Sequence, residues 1–273
     1  MSAWIGPLGS LIEFKCPSAV ESSSEDSHVY FRSLGGDVAV TRLGDGTRPR
    51  VWDVSVDAAR PDHVAALQGL ASGAWGPGPF LFIPPGAPAV NMLGKRSALS
   101  LETPGSGYVL DVGGAPVLTT EGYAGANYAT TTSTPALMSL GDAPVLPGQQ
   151  VTGKAWVQAL TGTSASLRLV FYTAGGAQLL SSPIVTSTDP AGTYLSVTDI
   201  APEGAAYARL SASGAIITHP QVTWTAGPRT WSPSAASLTT VVTPVTESVR
   251  RATGVPGQET ITDHRFTVTE LRA

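Results

Sequence analysis

VWDVSVDAARPDHVAALQGLASGAWGPGPFLFIPPG, residues 51–86, reads as strand, helix, rigid turn, strand. Trp52, Val54 and Val56 alternate with Val51, Asp53 and Ser55, the pattern of a strand with one apolar face. Pro61 suits a first helical position, and Asp62 places a carboxylate near the positive end of the helix dipole. Val64, Leu67 and Leu70 then recur at a spacing of three, with Gly69 and Gly73 expected to end the helix. GPGP at 76–79 sets a turn, and FLFI at 80–83 is a short strand stopped by Pro84 and Pro85. No side chain in this unit is chemically poised. It is built to hold a shape.

The rest of the composition agrees. Gly (30) and Pro (22) are about a fifth of the chain, and long helical stripes are few, so an all-β architecture is favoured. Charged residues are 13%, about half the usual share, and the net charge is −4. That surface suits an assembly partner, a glycan binder or an extracellular protein, and it speaks against nucleic acid as a ligand. A single cysteine, Cys16, excludes an intramolecular disulfide and reads as a small core residue. The opening MSAWIGPLGSLIEF lacks the pattern of a signal peptide, and no apolar run has transmembrane length, so neither membrane insertion nor signal-directed export is expected.

Along the chain, residues 1–14 suggest a short apolar strand, docked on its own domain or on a neighbouring subunit. ESSSEDSH, within Val20–His28, reads as a polar loop; strands at Val29–Ser33 and Asp37–Thr41 flank a Gly35–Gly36 turn, and Arg42–Arg50 is a charged loop. Residues 1–87 thus form a first β domain with one helix. Residues 88–232 form a second, with strands expected at Tyr108–Val112, Val151–Leu160, Ser166–Thr173, Thr193–Ile200, Ala206–Ala212 and Gln221–Thr225. Residues 233–273 carry strands at Thr239–Thr243 and Ile261–Leu271; they are too few for a third core and are expected to complete the first domain or to reach a neighbour. The expected class is mainly β: an N-terminal β-sandwich with one helix and an inserted or appended jelly-roll β-sandwich.

The chemical motifs are missing. There is no phosphate-binding glycine loop, no HExxH, no GxSxG and no CxxC. His28, His63, His219 and His264 have no ligand spacing, so no metal or other cofactor is expected. Asp37, Asp45, Asp53 and Asp57 read as solvated carboxylates. The second domain holds seven acids (Glu102, Asp111, Glu121, Asp142, Asp189, Asp199 and Glu203), most in predicted turns, so hydrolysis by paired carboxylates is not expected. Its aromatics are more suggestive: Tyr123, Tyr128, Tyr172, Tyr194, Tyr207, Trp224 and Trp231. A pyranose offers an apolar C–H face and a polar rim, which aromatic faces and planar hydrogen-bonding groups match. Strand alternation turns Leu167, Leu169, Phe171, Ala206, Ala208 and Leu210 inward. Arg168, Tyr172, Tyr207 and Arg209 then face outward as the candidate carbohydrate-binding set, joined by Trp224, which reads equally well as core.

Two resemblances carry the expectation further. Trp52, the helix Pro61–Leu70, Gly76–Pro79, Phe80 and Asn91–Leu93, with the closing strand FTVTEL at Phe266–Leu271, resemble distal tail and minor tail proteins of siphophages infecting actinobacteria. Residues 143–231, with APVLPGQQVTGKAWV, LRLVFYTAGGAQL, GTYLSVTDIAPEGAAYARLSAS and VTWTAGPRTWSPS, resemble carbohydrate-binding-module jelly rolls. The first resemblance implies a non-enzymatic virion protein at the tail tip, made in the host cytoplasm. It would form a homo-oligomer, six-fold, between the tail tube and the baseplate or fibre proteins. The N-terminal stretch and the Arg42–Arg50 loop would supply contacts between subunits, and the second domain would contact host cell-wall glycan. The alternative is a monomeric carbohydrate-binding adhesin or accessory module.

Overall fold

The computed structural model describes residues 2–15, 17–24, 28–32, 38–42, 50–59, 61–76, 78–94, 98, 110–112, 117–119, 127–129, 137–227, 229–232, 237–242, 245–251 and 261–271. Cys16, the Gly35–Gly36 turn, residues 43–49 of the charged loop and Tyr123 lie outside them. The chain begins with β1 (Ser2–Gly6), β2 (Ile12–Lys15), β3 (Ala19–Ser24), β4 (His28–Arg32), β5 (Val38–Arg42), β6 (Arg50–Ala59), α1 (Pro61–Ala71), β7 (Phe80–Ile83) and α2 (Ala87–Val90). It continues with β8 (Leu110–Val112), β9 (Val117–Thr119), β10 (Asn127–Ala129), β11 (Leu137–Pro144), β12 (Gln150–Ala159), β13 (Ala165–Tyr172) and β14 (Gln178–Ser181). Last come β15 (Val185–Ser187), β16 (Thr193–Ile200), β17 (Tyr207–Ser213), β18 (Ala215–Thr223), β19 (Ser237–Val242), β20 (Thr246–Arg251) and β21 (Ile261–Glu270). The protein is mainly β, with antiparallel sheets throughout the pairings described.

Two compact units share the chain. The first comprises residues 1–7, 12–82 and 238–273; the second comprises 8–11 and 83–237. The first unit holds an eight-stranded sheet in the order β2-β1-β7-β19-β21-β6-β3, with β20 also paired to β21, and a separate β4–β5 hairpin. Strand β21 therefore lies inside the sheet. The sheet also curls over on itself. Trp52 of β6 and Phe82 of β7 sit with ring centroids 5.2 Å apart although β21 and β19 separate their strands. In a flat sheet three strand spacings would hold them about 14 Å apart. Phe14 of β2 reaches Phe266 of β21 in the same way, at 6.2 Å. One sheet thus supplies both layers around a core of Ala3, Ile5, Phe14, Trp52, Val54, Val56, Phe80, Phe82, Phe266 and Val268.

Helix α1 packs Leu67 and Leu70 on this core, and the buried His63 ring lies 5.1 Å from Phe14. Gly69 does not end the helix. It lies within α1 because a Cβ there would stand 2.8 Å from the Trp75 indole nitrogen, so glycine is what lets Trp75 fold back. Gly73, at φ +71°, makes the stop, and Ala74 N donates to Gly69 O at 3.0 Å. Residues 19–24 are strand β3, paired along β6 from Ala19↔Ser55 to Ser24↔Arg50, not the loop their serines suggest. A polar strand at a sheet edge carries no apolar alternation to reveal it. Arg50 belongs to β6 and forms a two-pronged ion pair with Glu270 of the same chain, at 2.9 and 3.1 Å.

The second unit is a jelly-roll β-sandwich. One sheet runs β16-β12-β18-β10-β9; the other runs β14-β13-β17-β11-β8, with β15 also on β13. Val151, Ala155 and Val157 face Leu167, Leu169, Phe171, Ala208 and Leu210, all fully buried. The sheets meet so closely that a Cβ on Gly153 would lie 2.6 Å from Leu210 Cδ1 and 2.9 Å from Leu169 Cδ2. The segments that bring the chain into and out of this unit are held on β18 by two buried amides. Asn91 donates from Nδ2 to Pro220 O and Ser232 O, both at 3.1 Å, and accepts at Oδ1 from Leu93 N and Val222 N. Gln221 Nε2 donates to Val90 O and Thr230 O at 2.6 and 3.1 Å.

Candidate functional site

The outer face of the β13–β17 pair brings three of the expected residues together. Tyr172 is opposite Tyr207 in register, and their rings stack at 5.2 Å with 9° between planes. The Arg209 guanidinium lies 4.9 Å from the Tyr172 centroid and 5.3 Å from that of Tyr207, and its Nε donates to Asp142 Oδ1 at 2.6 Å. Burial disfavours the guanidinium charge, but Asp142 outweighs it and lifts the pKa above its ordinary value. Burial also raises the Tyr207 phenol, against the opposing pull of Arg209.

Their expected exposure needs correction. Tyr172 and Tyr207 are each only 5% exposed, because Leu8 packs against them together with Val170 and Ala206. The alternation gives the correct face of the sheet, but that face is covered from a segment some 160 residues away in sequence. Arg168 shares this face opposite Ser211, partly exposed, and its buried Nε has no hydrogen-bond partner among the described residues. Trp224 is not in the stack. It is 9% exposed, and its indole N–H donates to Pro144 O at 3.0 Å.

A different aromatic group occupies the outer face of the other sheet. Tyr194, opposite Trp156 in register, is 42% exposed. Its hydroxyl is 3.0 Å from His219 Nδ1, and the His219 ring stacks on Trp231 at 4.2 Å. Lys154 Nζ lies 4.3 Å over the Tyr194 ring and donates to Arg229 O at 2.9 Å. Each part is placed by local structure. His219 and Pro220 form a bulge, where the β12–β18 register shifts between Lys154 and Trp156, and His219 sits at φ +53°. Trp231 lies between Thr230 and Ser232, whose carbonyls are those held by Gln221 and Asn91. Trp156 is roofed by the 189–192 turn: Gly192, at φ +87°, rests where any Cβ would collide with the Trp156 indole ring. Tyr194 beside it is the more exposed ring.

Burial, and secondarily the Lys154 ammonium, hold the His219 imidazole below its ordinary pKa. Burial likewise lowers Lys154. A disordered chain binds the His219 proton near pH ~6.5, and the folded chain binds it only at lower pH. The contribution of neutral His219 is thus complete above that value and lost as pH falls from it toward the folded pKa. Histidine ring NMR should show His219 titrating below pH ~6.5, and an inflection at or above that value would overturn this assignment.

Among the described residues there is no group of three or more metal-ligating side chains, and no helix is long and apolar enough to cross a membrane. No family model matches the chain, and no curated protein matches it in sequence. Among solved structures, the chain is similar to the enzymatically active domain of bacteriophage CBA120 tailspike protein 4 (15% identity, TM-score 0.38, covering 50% of this chain and 22% of that one). It thus spans about a fifth of that tailspike domain. It is also similar to a family 16 carbohydrate-binding module (17%, TM-score 0.34, 48% and 94%). A third likeness is to a xylan-binding domain from carbohydrate-binding module family 22 (13%, TM-score 0.36, 47% and 93%).

Proposed function

We propose that the protein is a non-enzymatic structural component of a bacteriophage tail tip, of the distal or minor tail type. Its first unit builds a homo-oligomeric ring, six-fold, between the tail tube and the baseplate or fibre proteins. Its second unit stands as a module that contacts host cell-wall glycan. The mature location is the virion, and no cofactor is required.

One observation carries this reading. The two ends of the chain meet in a single sheet around β21, and residues 83–237 are spliced into it as a sandwich with its own core. A scaffold that closes on itself and carries an inserted module separates assembly from recognition. The resemblance of residues 51–93 and Phe266–Leu271 to siphophage tail proteins supports the scaffold role. The exposed Tyr194 side chain supports the contact role.

Light scattering across a concentration series tests the assembly. A closed multiple of the 28.0 kDa chain, hexamer above all, is the expected result. A strict monomer at every concentration, together with polysaccharide affinity, would replace the ring with the monomeric glycan-binding adhesin.

A further inference from the structure

We propose that Tyr194, His219, Trp231 and Lys154 form the glycan-contact site, and that its ligand is an anionic polysaccharide with carboxylate-bearing sugars. This inference rests on the glycan-contact reading above and adds to it the site and the ligand class.

The two outer faces of the sandwich differ in how far their aromatic groups are exposed. The Tyr172–Tyr207 stack is covered and its arginine is engaged by Asp142, so a sugar ring cannot lie on it without displacing Leu8. On the other sheet, Lys154 lies over the Tyr194 ring, and the residue remains 42% exposed. Beside it, the His219–Trp231 stack continues the apolar surface. Exposed aromatic surface next to hydrogen-bonding groups fits the apolar C–H face and polar rim of a pyranose. The Tyr194 hydroxyl, the His219 imidazole and the Ser196 and Thr198 hydroxyls line the same outer face of β16 and β18. The Trp231 indole nitrogen is occluded and takes no part; its ring is the contact.

Charge narrows the ligand. Lys154 is the cation at this face: its Nζ donates to the Arg229 backbone carbonyl, and it forms no ion pair among the described residues. The contrast with Arg209, neutralised by Asp142 on the other sheet, is direct. Burial already disfavours the Lys154 charge. A ligand carboxylate beside it would offset that cost, whereas a neutral sugar would not. The platform is also held in place before any ligand arrives. The carbonyls on either side of Trp231 are tied to Gln221 and Asn91, and Asn91 is fully buried. Little ordering is then left for binding to supply.

The test uses the full-length protein in affinity electrophoresis and calorimetry with polygalacturonate and alginate as anionic probes and dextran and xylan as neutral ones. Tyr194→Ala and Lys154→Gln are the variants, both at positions where the side chain reaches solvent, and circular dichroism verifies their fold. Expected are retardation by an anionic probe, weakening with added salt, and about a tenfold loss of affinity in each variant. Retention of full affinity by both folded variants would overturn the site while leaving glycan contact intact. Equal retardation by neutral and anionic probes would overturn the ligand class. No retardation by any probe, nor by intact cell-wall polysaccharide, would overturn the glycan-contact reading itself. Arg209→Gln separates the two sheets: it should leave affinity unchanged, and a loss there as large as in Tyr194→Ala would return the site to the covered stack.

Discussion

Replacing Asn91 by alanine is expected to destabilise the second unit by about 3–5 kcal/mol, one of the largest effects of any polar substitution in the chain. The side chain is fully buried and makes four bonds. Its removal leaves two carbonyls, Pro220 O and Ser232 O, and two amides, Leu93 N and Val222 N, without that partner. Each buried group so orphaned costs about 1–3 kcal/mol, reduced where water can enter. Ser232 lies near the surface and should recover part of its loss, which sets the total below a simple sum. Asn91→Asp should be at least as damaging: it keeps the acceptor but turns a carboxylate toward two carbonyl oxygens. Urea unfolding reads the loss. Hydrogen exchange reads its location, because amides of residues 221–224 should lose protection before those of β13. A change under about 0.5 kcal/mol would mean that these segments are held on β18 by something other than this amide. The same substitution should weaken polysaccharide binding through Trp231, whose neighbour Ser232 is the residue Asn91 holds.

Local patterns in the sequence carried much of the fold. The strand at β6, helix α1 and strand β7 fall where apolar spacing and Pro/Gly punctuation place them, and β16 is bounded as its alternation indicates. What escaped was non-local or chemically silent. Strand β18 begins at Ala215, six residues before the expected Gln221, because His219–Pro220 reads as a break. A proline is unwelcome in a central strand unless a bulge accommodates it, and a bulge is what the register shows. The N-terminal apolar stretch is a β1–β2 hairpin, with Ile5 opposite Ile12, and not one short strand. For the site, alternation separated Tyr194, Ser196 and Thr198 from Leu195 and Val197, so the outward turn of Tyr194 was readable. Its company was not. His219 and Trp231 come from other segments, and only the β12–β16 and β12–β18 registers bring them beside it. Covering is equally invisible to periodicity, which is why the tyrosines at 172 and 207 pointed to a surface that Leu8 closes.

A chain ending at residue 256 is expected to lose the first unit altogether while the second stays folded. Strand β21 is the partner of β6 along one edge and of β19 and β20 along the other. Its removal therefore strips cross-strand bonds from three strands at once. It also empties the core of Phe266 and Val268 and deprives Arg50 of Glu270. Burying a single Phe or Val is worth about 1.5–3 kcal/mol, and a whole domain is stable by only about 5–15 kcal/mol. Losing two such residues, a partly buried ion pair and the ladder beside them exceeds what this unit can sustain. The second unit draws no strand from residues beyond 237 and keeps both of its sheets. Hydrogen exchange distinguishes the outcomes within one sample. Amides of β6 and β7 should exchange at the rate of an unfolded chain, while those of β12, β13 and β17 keep their protection. Protected β6 amides in the truncated protein would show that β21 is dispensable, and the scaffold reading would fail with it. A milder probe, Val268→Asp, places an unpaired charge at a fully buried position in the same strand and should shift the same amides in the same direction. If both variants melt only the first unit, the inserted sandwich folds on its own information, as a module carried on a closed scaffold must.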